Sequence, residues 1–98
     1  GNQTKTSTSQ FSLDTFAKAD YRAARYIIAM SEGTNFHSTE VMLVHDGSVV
    51  TLTAYGTLKD TNLATIDADI SGSNVRLLVT PASNTSTVIK FDRTLVDA

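Results

Sequence analysis

The chain has 98 residues, of which 41% are hydrophobic and 18% charged, and its formal net charge is -2. This composition predicts one globular domain with a single core and excludes a highly charged disordered chain. The 8 lysines and arginines are scattered, which argues against a nucleic-acid partner, and the absence of cysteine excludes disulfides and thiolate metal sites. The longest apolar run falls far short of the roughly 20 residues that a spanning helix needs, so no membrane insertion is predicted.

The first ten residues, Gly1–Gln10, contain no apolar side chain. Such a stretch buries too little surface to offset the entropy lost on ordering. Residues 1–10 are therefore predicted to be a polar linker or tail, and residues 11–98 a single folded domain. The polar lead-in also suggests that the domain belongs to a longer polypeptide.

The segment from Leu13 to Met30 fits two kinds of secondary structure. Its apolar residues follow a helical stripe, with Ser12 available as an N-cap. The same residues also alternate in the manner of a strand. Periodicity alone leaves both alternatives open. Because the rest of the chain has β patterning, a strand from about Arg22 to Met30 is favoured.

The clearest element is a β-hairpin over Val41–Tyr55. Two runs of branched and apolar residues flank Asp46 and Gly47, a pair that suits a tight type I′ turn. A polar connection is predicted over Gly56–Asn62. Alternation and turn clusters then predict strands over Leu63–Ile70, Val75–Thr80 and Val88–Thr94. Six or seven short strands of this kind predict an all-β fold, an antiparallel and jelly-roll-like β-sandwich.

No catalytic or metal-binding pattern stands out. The two histidines, His37 and His45, are too few for a typical metal site, and no Gly-x-Ser-x-Gly elbow marks a nucleophile. Asp60, Asp67 and Asp69 lack the spacing of a calcium loop, and alternating aspartates are typical of the exposed face of a strand. The sequence therefore predicts no cofactor, no metal and no enzymatic activity.

Two features indicate binding instead. Both faces of the strand that contains Met42 and Val44 are apolar, so the strand is either covered on both sides or exposed to a second copy or neighbouring protein. The second interpretation is favoured, with Met42 and Val44 in the interface. Loop residues provide a second candidate surface, one that would face a receptor or carbohydrate. These residues are Asn35, Phe36, Lys59, Asp60 and Asn84.

Four motifs resemble a β domain of virion structural, tail-fibre-like proteins of tailed bacteriophages, notably marine myoviruses that infect cyanobacteria. They are Tyr21–Tyr26, Thr39–Gly47, Tyr55–Thr57 and, above all, Ala68–Pro81. The resemblance covers about Phe16 to Thr94 and implies strands across residues 21–30. It implies a non-enzymatic module of a tail, fibre, neck or capsid-associated protein, located in the virion, whose partners are copies of itself or other virion proteins. A domain of a phage adhesin that binds a cell-surface glycan is the alternative.

Overall fold

The computed structural model describes residues 1–97 and contains eight β-strands. In chain order they are β1 (Asn2–Lys5), β2 (Phe11–Ala17), β3 (Tyr21–Glu32), β4 (Asn35–His45), β5 (Val50–Lys59), β6 (Ala64–Ser71), β7 (Asn74–Pro81) and β8 (Thr87–Asp97). Within residues 1–97, no helix is long and apolar enough to cross a membrane.

The strands form two antiparallel sheets that pack face to face. The wide sheet has the order β1-β8-β3-β4-β5, and the narrow sheet has the order β2-β7-β6. The predicted all-β sandwich is confirmed, with eight strands instead of six or seven. Because β3, β4 and β5 follow one another in the chain and lie side by side, they form a meander in the wide sheet. The jelly-roll detail of the prediction stays a prediction.

The core lies between the two sheets and takes alternate residues from each strand. In β3, every second residue from Ala24 to Met30 is buried and the residues between them are exposed, as expected of a strand with one covered face. The predicted strand over Arg22–Met30 is thus confirmed and is slightly longer at both ends. The core side chains contributed by the other strands and connections are Leu13, Phe16, Val41, Leu43, Leu63, Ala64, Val75, Leu77, Val79 and Ile89.

The prediction of a linker over residues 1–10 does not hold for its first half. Asn2–Lys5 form β1, which pairs with β8 in a register that runs from Asn2 opposite Lys90 to Lys5 opposite Thr87. Backbone hydrogen bonds hold an edge strand without apolar side chains, and polar side chains are common on such edges. Residues 6–10 connect β1 to β2, and the domain boundary at residue 11 stays a prediction.

The predicted hairpin is confirmed as β4–β5, but its turn differs from the type I′ turn that was expected. The Asp46 N–H donates to the Val49 carbonyl at 3.2 Å, which leaves Gly47 and Ser48 as the central residues. Gly47 has a φ of 96°, and no non-glycine residue within 1–97 has a positive φ. A type I′ turn needs positive φ at both central positions, whereas glycine at the first position alone is typical of type II′. The β3–β4 and β6–β7 turns have the same pattern, at Gly33–Thr34 and Gly72–Ser73.

A β-bulge interrupts β5, where the polar connection was predicted to begin. The register between β4 and β5 shifts by one residue, so that Gly56 and Thr57 both lie opposite Thr39. Gly56 has a φ of 63°, a backbone conformation that glycine adopts at little cost and that defines the G1 class of bulge. Beyond the bulge β5 continues to Lys59. The connection predicted over Gly56–Asn62 is therefore confined to the residues after Lys59.

A polar network joins the two sheets through the core. The Tyr26 hydroxyl in β3 donates to Asp14 Oδ2 in β2 at 2.8 Å, and Arg93 Nη1 in β8 donates to the same oxygen at 2.8 Å. Burial and the hydrogen bond to Asp14 raise the pKa of Tyr26 above its usual value of 10.0. The fully buried phenol is therefore neutral and serves as a fixed hydrogen-bond donor.

Candidate functional site

Four connections meet at one end of the sandwich, which we call the loop end. They are β1–β2, β3–β4, β5–β6 and β7–β8, and side-chain contacts join two of them. Glu32, at the end of β3, accepts hydrogen bonds from Ser83 Oγ at 2.7 Å and Thr87 Oγ1 at 3.3 Å. All five predicted ligand-facing residues lie at this end. They are Asn35, Phe36, Lys59, Asp60 and Asn84.

These five residues do not converge on one site. The structure joins Phe36 to Asp60: the Phe36 N–H donates to Asp60 Oδ1 at 2.8 Å, and the Asp60 N–H donates to the Phe36 carbonyl at 3.2 Å. Asp60 thus fixes the β5–β6 connection against β4. Lys59 instead donates to Asn62 Oδ1 at 3.4 Å, and Asn84 is exposed in the separate β7–β8 connection. Phe36 is 52% exposed and presents apolar surface at this end.

The predicted interface residues lie on the outer face of the wide sheet. Met42 and Val44 are each 47% exposed, while Val41 and Leu43 of the same strand are buried in the core. The strand is therefore apolar on both faces but covered on only one. That Met42 and Val44 form an interface stays a prediction.

The exposed side chains of this face form a continuous apolar band. The register places Val44 of β4 and Val96 of β8 on either side of Ala23 in β3, and Met42 next to Arg25. Val96 is 56% exposed, and a shallow depression of about 290 Å³ lies among Ala23, Met42 and Val96. We call Ala23, Met42, Val44 and Val96 the apolar band.

The two histidines are separated and have different partners. The Gly47 N–H donates to His45 Nδ1 at 3.0 Å, so Nε2 carries the proton and donates to the Tyr21 carbonyl at 2.7 Å. His45 is buried, and both of its ring nitrogens hold the turn against β3. His37 is also buried, at the start of β4.

The acidic residues are equally dispersed. Within residues 1–97, no group of three or more His, Cys, Asp or Glu side chains is placed to hold a metal ion. Asp69 in β6 accepts two hydrogen bonds from Arg76 in β7, at 2.8 and 2.5 Å, and this pairing lowers the pKa of the Asp69 carboxyl. The role of Asp69 and Arg76 is therefore a cross-strand ion pair in the narrow sheet.

No protein-family model matches the chain, and no curated protein matches it in sequence. Solved structures match it in fold. The tailspike protein of Acinetobacter phage vB_ApiP_P1 is 17% identical with a TM-score of 0.66, and the match covers 100% of this chain and 22% of that one. The tailspike protein of Acinetobacter baumannii phage AM24 is 10% identical with a TM-score of 0.58, over 100% of this chain and 25% of that one.

The chain shares its fold with a part of phage tailspike proteins. It spans about a quarter or less of the length of these tailspikes. A third structure, tailspike gp49 of Acinetobacter baumannii bacteriophage Fri1, is described as a capsular polysaccharide depolymerase. It is 14% identical over 99% of this chain and 19% of that one, and its TM-score of 0.40 is too low to inform on the fold.

A groove of about 220 Å³ opens between β5 and β6, where the wide sheet extends past the narrow one. Its polar lining comes from residues that are distant in sequence, and only Lys59 among them belongs to the predicted loop surface. The one local signal for it is Gly56, because an isolated glycine within a strand pattern indicates a bulge. The polar side chains along this groove are His37, Thr39, Thr57, Lys59, Asn62 and Thr65.

Proposed function

We propose that this chain is a non-enzymatic structural module of a phage virion, part of a tail, fibre, neck or capsid-associated protein. In this proposal the domain packs against a second copy of itself through the apolar band. The observation that carries the proposal is the exposure of Met42, Val44 and Val96, each about half exposed on central strands of the wide sheet. The fold shared with phage tailspikes supports the assignment to a virion.

The position of the apolar band indicates that a protein partner covers it. Sheet faces that contact water usually carry polar residues at alternate positions, and contiguous exposed apolar patches commonly mark interaction sites. Here the register brings Val44, Ala23 and Val96 together across three strands. A partner that covers this face would remove their apolar surface from water, which is favourable.

The charges next to the band support a second copy as that partner. Arg25 lies in the row that includes Met42, and the next row along the sheet contains Asp92 and Glu40 on either side of Ile27. Two-fold packing brings the same patch of both copies together. In such a pair, Arg25 of each copy can meet an acidic residue of the other.

Light scattering with charged variants tests this interface. Met42→Asp and Val44→Asp place a carboxylate in the band, and we expect each to lower the assembled mass while circular dichroism stays unchanged. Thr65→Asp is the matched control, because Thr65 is exposed on β6 in the narrow sheet. A wild-type chain that stays monomeric at all concentrations, or an unchanged mass in a folded Val44→Asp variant, contradicts the proposal.

A receptor- or carbohydrate-binding role in a phage adhesin is the alternative function. It is favoured by the exposure of Phe36 at the loop end, next to Asp60 of the neighbouring connection. Aromatic rings stack on apolar surfaces of ligands, so Phe36→Ala is expected to abolish binding on a glycan array if this end is the contact surface. Unchanged binding by Phe36→Ala excludes the loop end as that surface.

The finer assignment to proteins of marine myoviruses that infect cyanobacteria is also part of the proposal. It depends on the four motifs of the sequence analysis, whereas the two tailspikes that share the fold come from Acinetobacter phages. The reading frames that flank the gene test it. Baseplate, tail or capsid genes of a cyanobacterial phage support the assignment, and neighbouring metabolic genes contradict it.

A further inference from the structure

The bulge at Gly56 reverses the direction of the side chains at the end of β5. Successive side chains of a strand point to opposite faces, so one inserted residue exchanges the faces of all residues beyond it. Tyr55, before the bulge, pairs with outward-facing Glu40, and Leu58, after it, is 69% exposed on the same outer side. Thr57 and Lys59 consequently lie on the inner side of the sheet. Without the bulge they would face outward with Tyr55.

The reversed residues meet polar side chains of β4. Thr57 Oγ1 lies 2.8 Å from Thr39 Oγ1, and Lys59 pairs in register with His37. Asn62 contacts Lys59 from the β5–β6 connection. Thr57 and Lys59 are exposed, whereas His37 and Thr39 are buried, and together these side chains form the polar wall of the groove.

His37 presents a hydrogen-bond donor to this groove. The Leu63 N–H donates to His37 Nδ1 at 3.2 Å, so the proton of the neutral ring is on Nε2. Burial and the nearby charge of Lys59 both lower the pKa of His37 from its usual 6.5, which keeps the ring neutral at pH 7. Although the residue is only 5% exposed, it lines the groove, and no group within residues 1–97 accepts from Nε2.

Among the residues that line the groove, Lys59 carries a positive charge and none is acidic. The two ion pairs within residues 1–97 are Asp69–Arg76 and Asp14–Arg93, so the Lys59 ammonium has no carboxylate partner there. The opposite wall offers apolar surface, from Ala64 and Ile66. A ligand that matches this site has an anionic group, several hydroxyls and an apolar ring edge.

We propose that the groove between β5 and β6 binds an acidic saccharide unit, a uronic acid within a cell-surface polysaccharide. Its carboxylate contacts Lys59 and the His37 Nε2–H, its hydroxyls contact Thr57 and Asn62, and its C–H surface contacts Ile66. The volume of about 220 Å³ is below the ~300–1,000 Å³ of sites for drug-sized ligands, which suits one unit of an extended polymer. This inference deepens the carbohydrate-binding alternative and does not depend on self-association.

The experiment is a titration of the full chain with a tetramer of galacturonic acid, with maltotetraose as the neutral probe. Isothermal calorimetry measures affinity, and amide chemical shifts in NMR locate the site. We expect shifts at His37, Thr57 and Asn62 with the acidic tetramer only. Affinity is expected to fall as salt is raised, because the contact with Lys59 is between opposite charges. No shift at these residues, or equal shifts with maltotetraose, overturns the proposal.

Matched variants assign the binding to the groove. Lys59→Met keeps the aliphatic stem and removes the charge, and we expect at least a tenfold loss of affinity. Lys90→Met removes an exposed lysine from the outer face of the wide sheet and is expected to bind as the wild type. Phe36→Ala retains binding if the groove is the site and loses it if the loop end is. Loss in Phe36→Ala, or wild-type affinity in Lys59→Met, overturns the proposal.

Saccharide binding in the groove can be tested independently of self-association. The same titration is carried out on Met42→Asp, whose substitution lies in the apolar band on the opposite face of the wide sheet. Retained affinity in this variant, whatever its assembled mass, supports a groove that acts in the single chain. Binding lost together with assembly contradicts the proposed site, because the groove is formed within one copy.

Discussion

Replacing Tyr26 by phenylalanine tests the polar network that joins the two sheets. Tyr26 is fully buried, and its hydroxyl is 2.8 Å from Asp14 Oδ2. A hydrogen bond to a charged group contributes roughly 1.5–3 kcal/mol. Because Asp14 keeps its contact with Arg93 in the variant, we expect a loss of about 2 kcal/mol, near the low end of that range. For a domain of this size that corresponds to a fall in Tm of about 10 °C.

The assay is urea denaturation, with Tyr55→Phe as the matched control. Tyr55 is 38% exposed, so removal of its hydroxyl is expected to change stability by less than about 0.5 kcal/mol. A cycle with Asp14→Ala measures the coupling between the two residues. Equal losses in Tyr26→Phe and Tyr55→Phe, or strict additivity in the cycle, would show that the hydrogen bond from Tyr26 to Asp14 does not stabilise the fold.

The same substitution predicts a change in alkaline stability. The pKa of Tyr26 is raised in the folded chain, whereas the unfolded chain releases the phenol proton near pH 10. Above pH 10 the unfolded state therefore binds fewer protons, and this residue lowers stability by about 1.4 kcal/mol per pH unit. Urea midpoints between pH 9.5 and about 10.5 should fall more steeply for the wild type than for Tyr26→Phe. Parallel profiles would contradict the burial of the phenol.

Three further predictions concern the core, a turn and His37. Leu77→Ala removes a fully buried side chain and should cost about 2–5 kcal/mol in urea denaturation, whereas Leu58→Ala, at an exposed position, should change stability by less than about 0.5 kcal/mol. Gly72→Ala meets no atom within 4 Å but must adopt a φ of 61°, so it should cost about 1–2 kcal/mol. The pKa of His37 is lowered in the folded chain, so the unfolded chain binds a proton more readily, and stability should fall as the pH drops below about 6.5. Urea midpoints measured at pH 7.5 and 5.0 should therefore differ less for His37→Gln than for the wild type.

The strands that obey simple alternation were predictable from the sequence, and those with irregular backbones or polar edges were not. Between β2 and β7 the register shifts at Ser12 and Asp14, and Leu13 becomes an extra residue that faces the core. Leu13 and Phe16 are therefore both buried although they are three residues apart, a spacing that is typical of the buried face of a helix. The polar strand β1 has no apolar pattern at all, because backbone pairing with β8 holds it in place.

Of the two candidate sites, the apolar band was predictable from the sequence and the groove was not. Exposure of Met42 and Val44 follows from local sequence, since a strand with two apolar faces exposes one of them when only one sheet covers it. The groove has no such local pattern. Lys59 lies on the same face as His37 and donates to Asn62 because the bulge in β5 turns it inward. Contacts that depend on a change of register between distant segments cannot be deduced from residue spacing.

The bulge at Gly56 also affects how copies of this domain can assemble. β5 is an edge of the wide sheet, and an edge strand with a regular row of free N–H and C=O groups is a template for addition of another strand. The inserted residue interrupts that row, so an incoming strand cannot pair along the whole length of β5. Open-ended growth of the wide sheet through its β5 edge is thereby disfavoured.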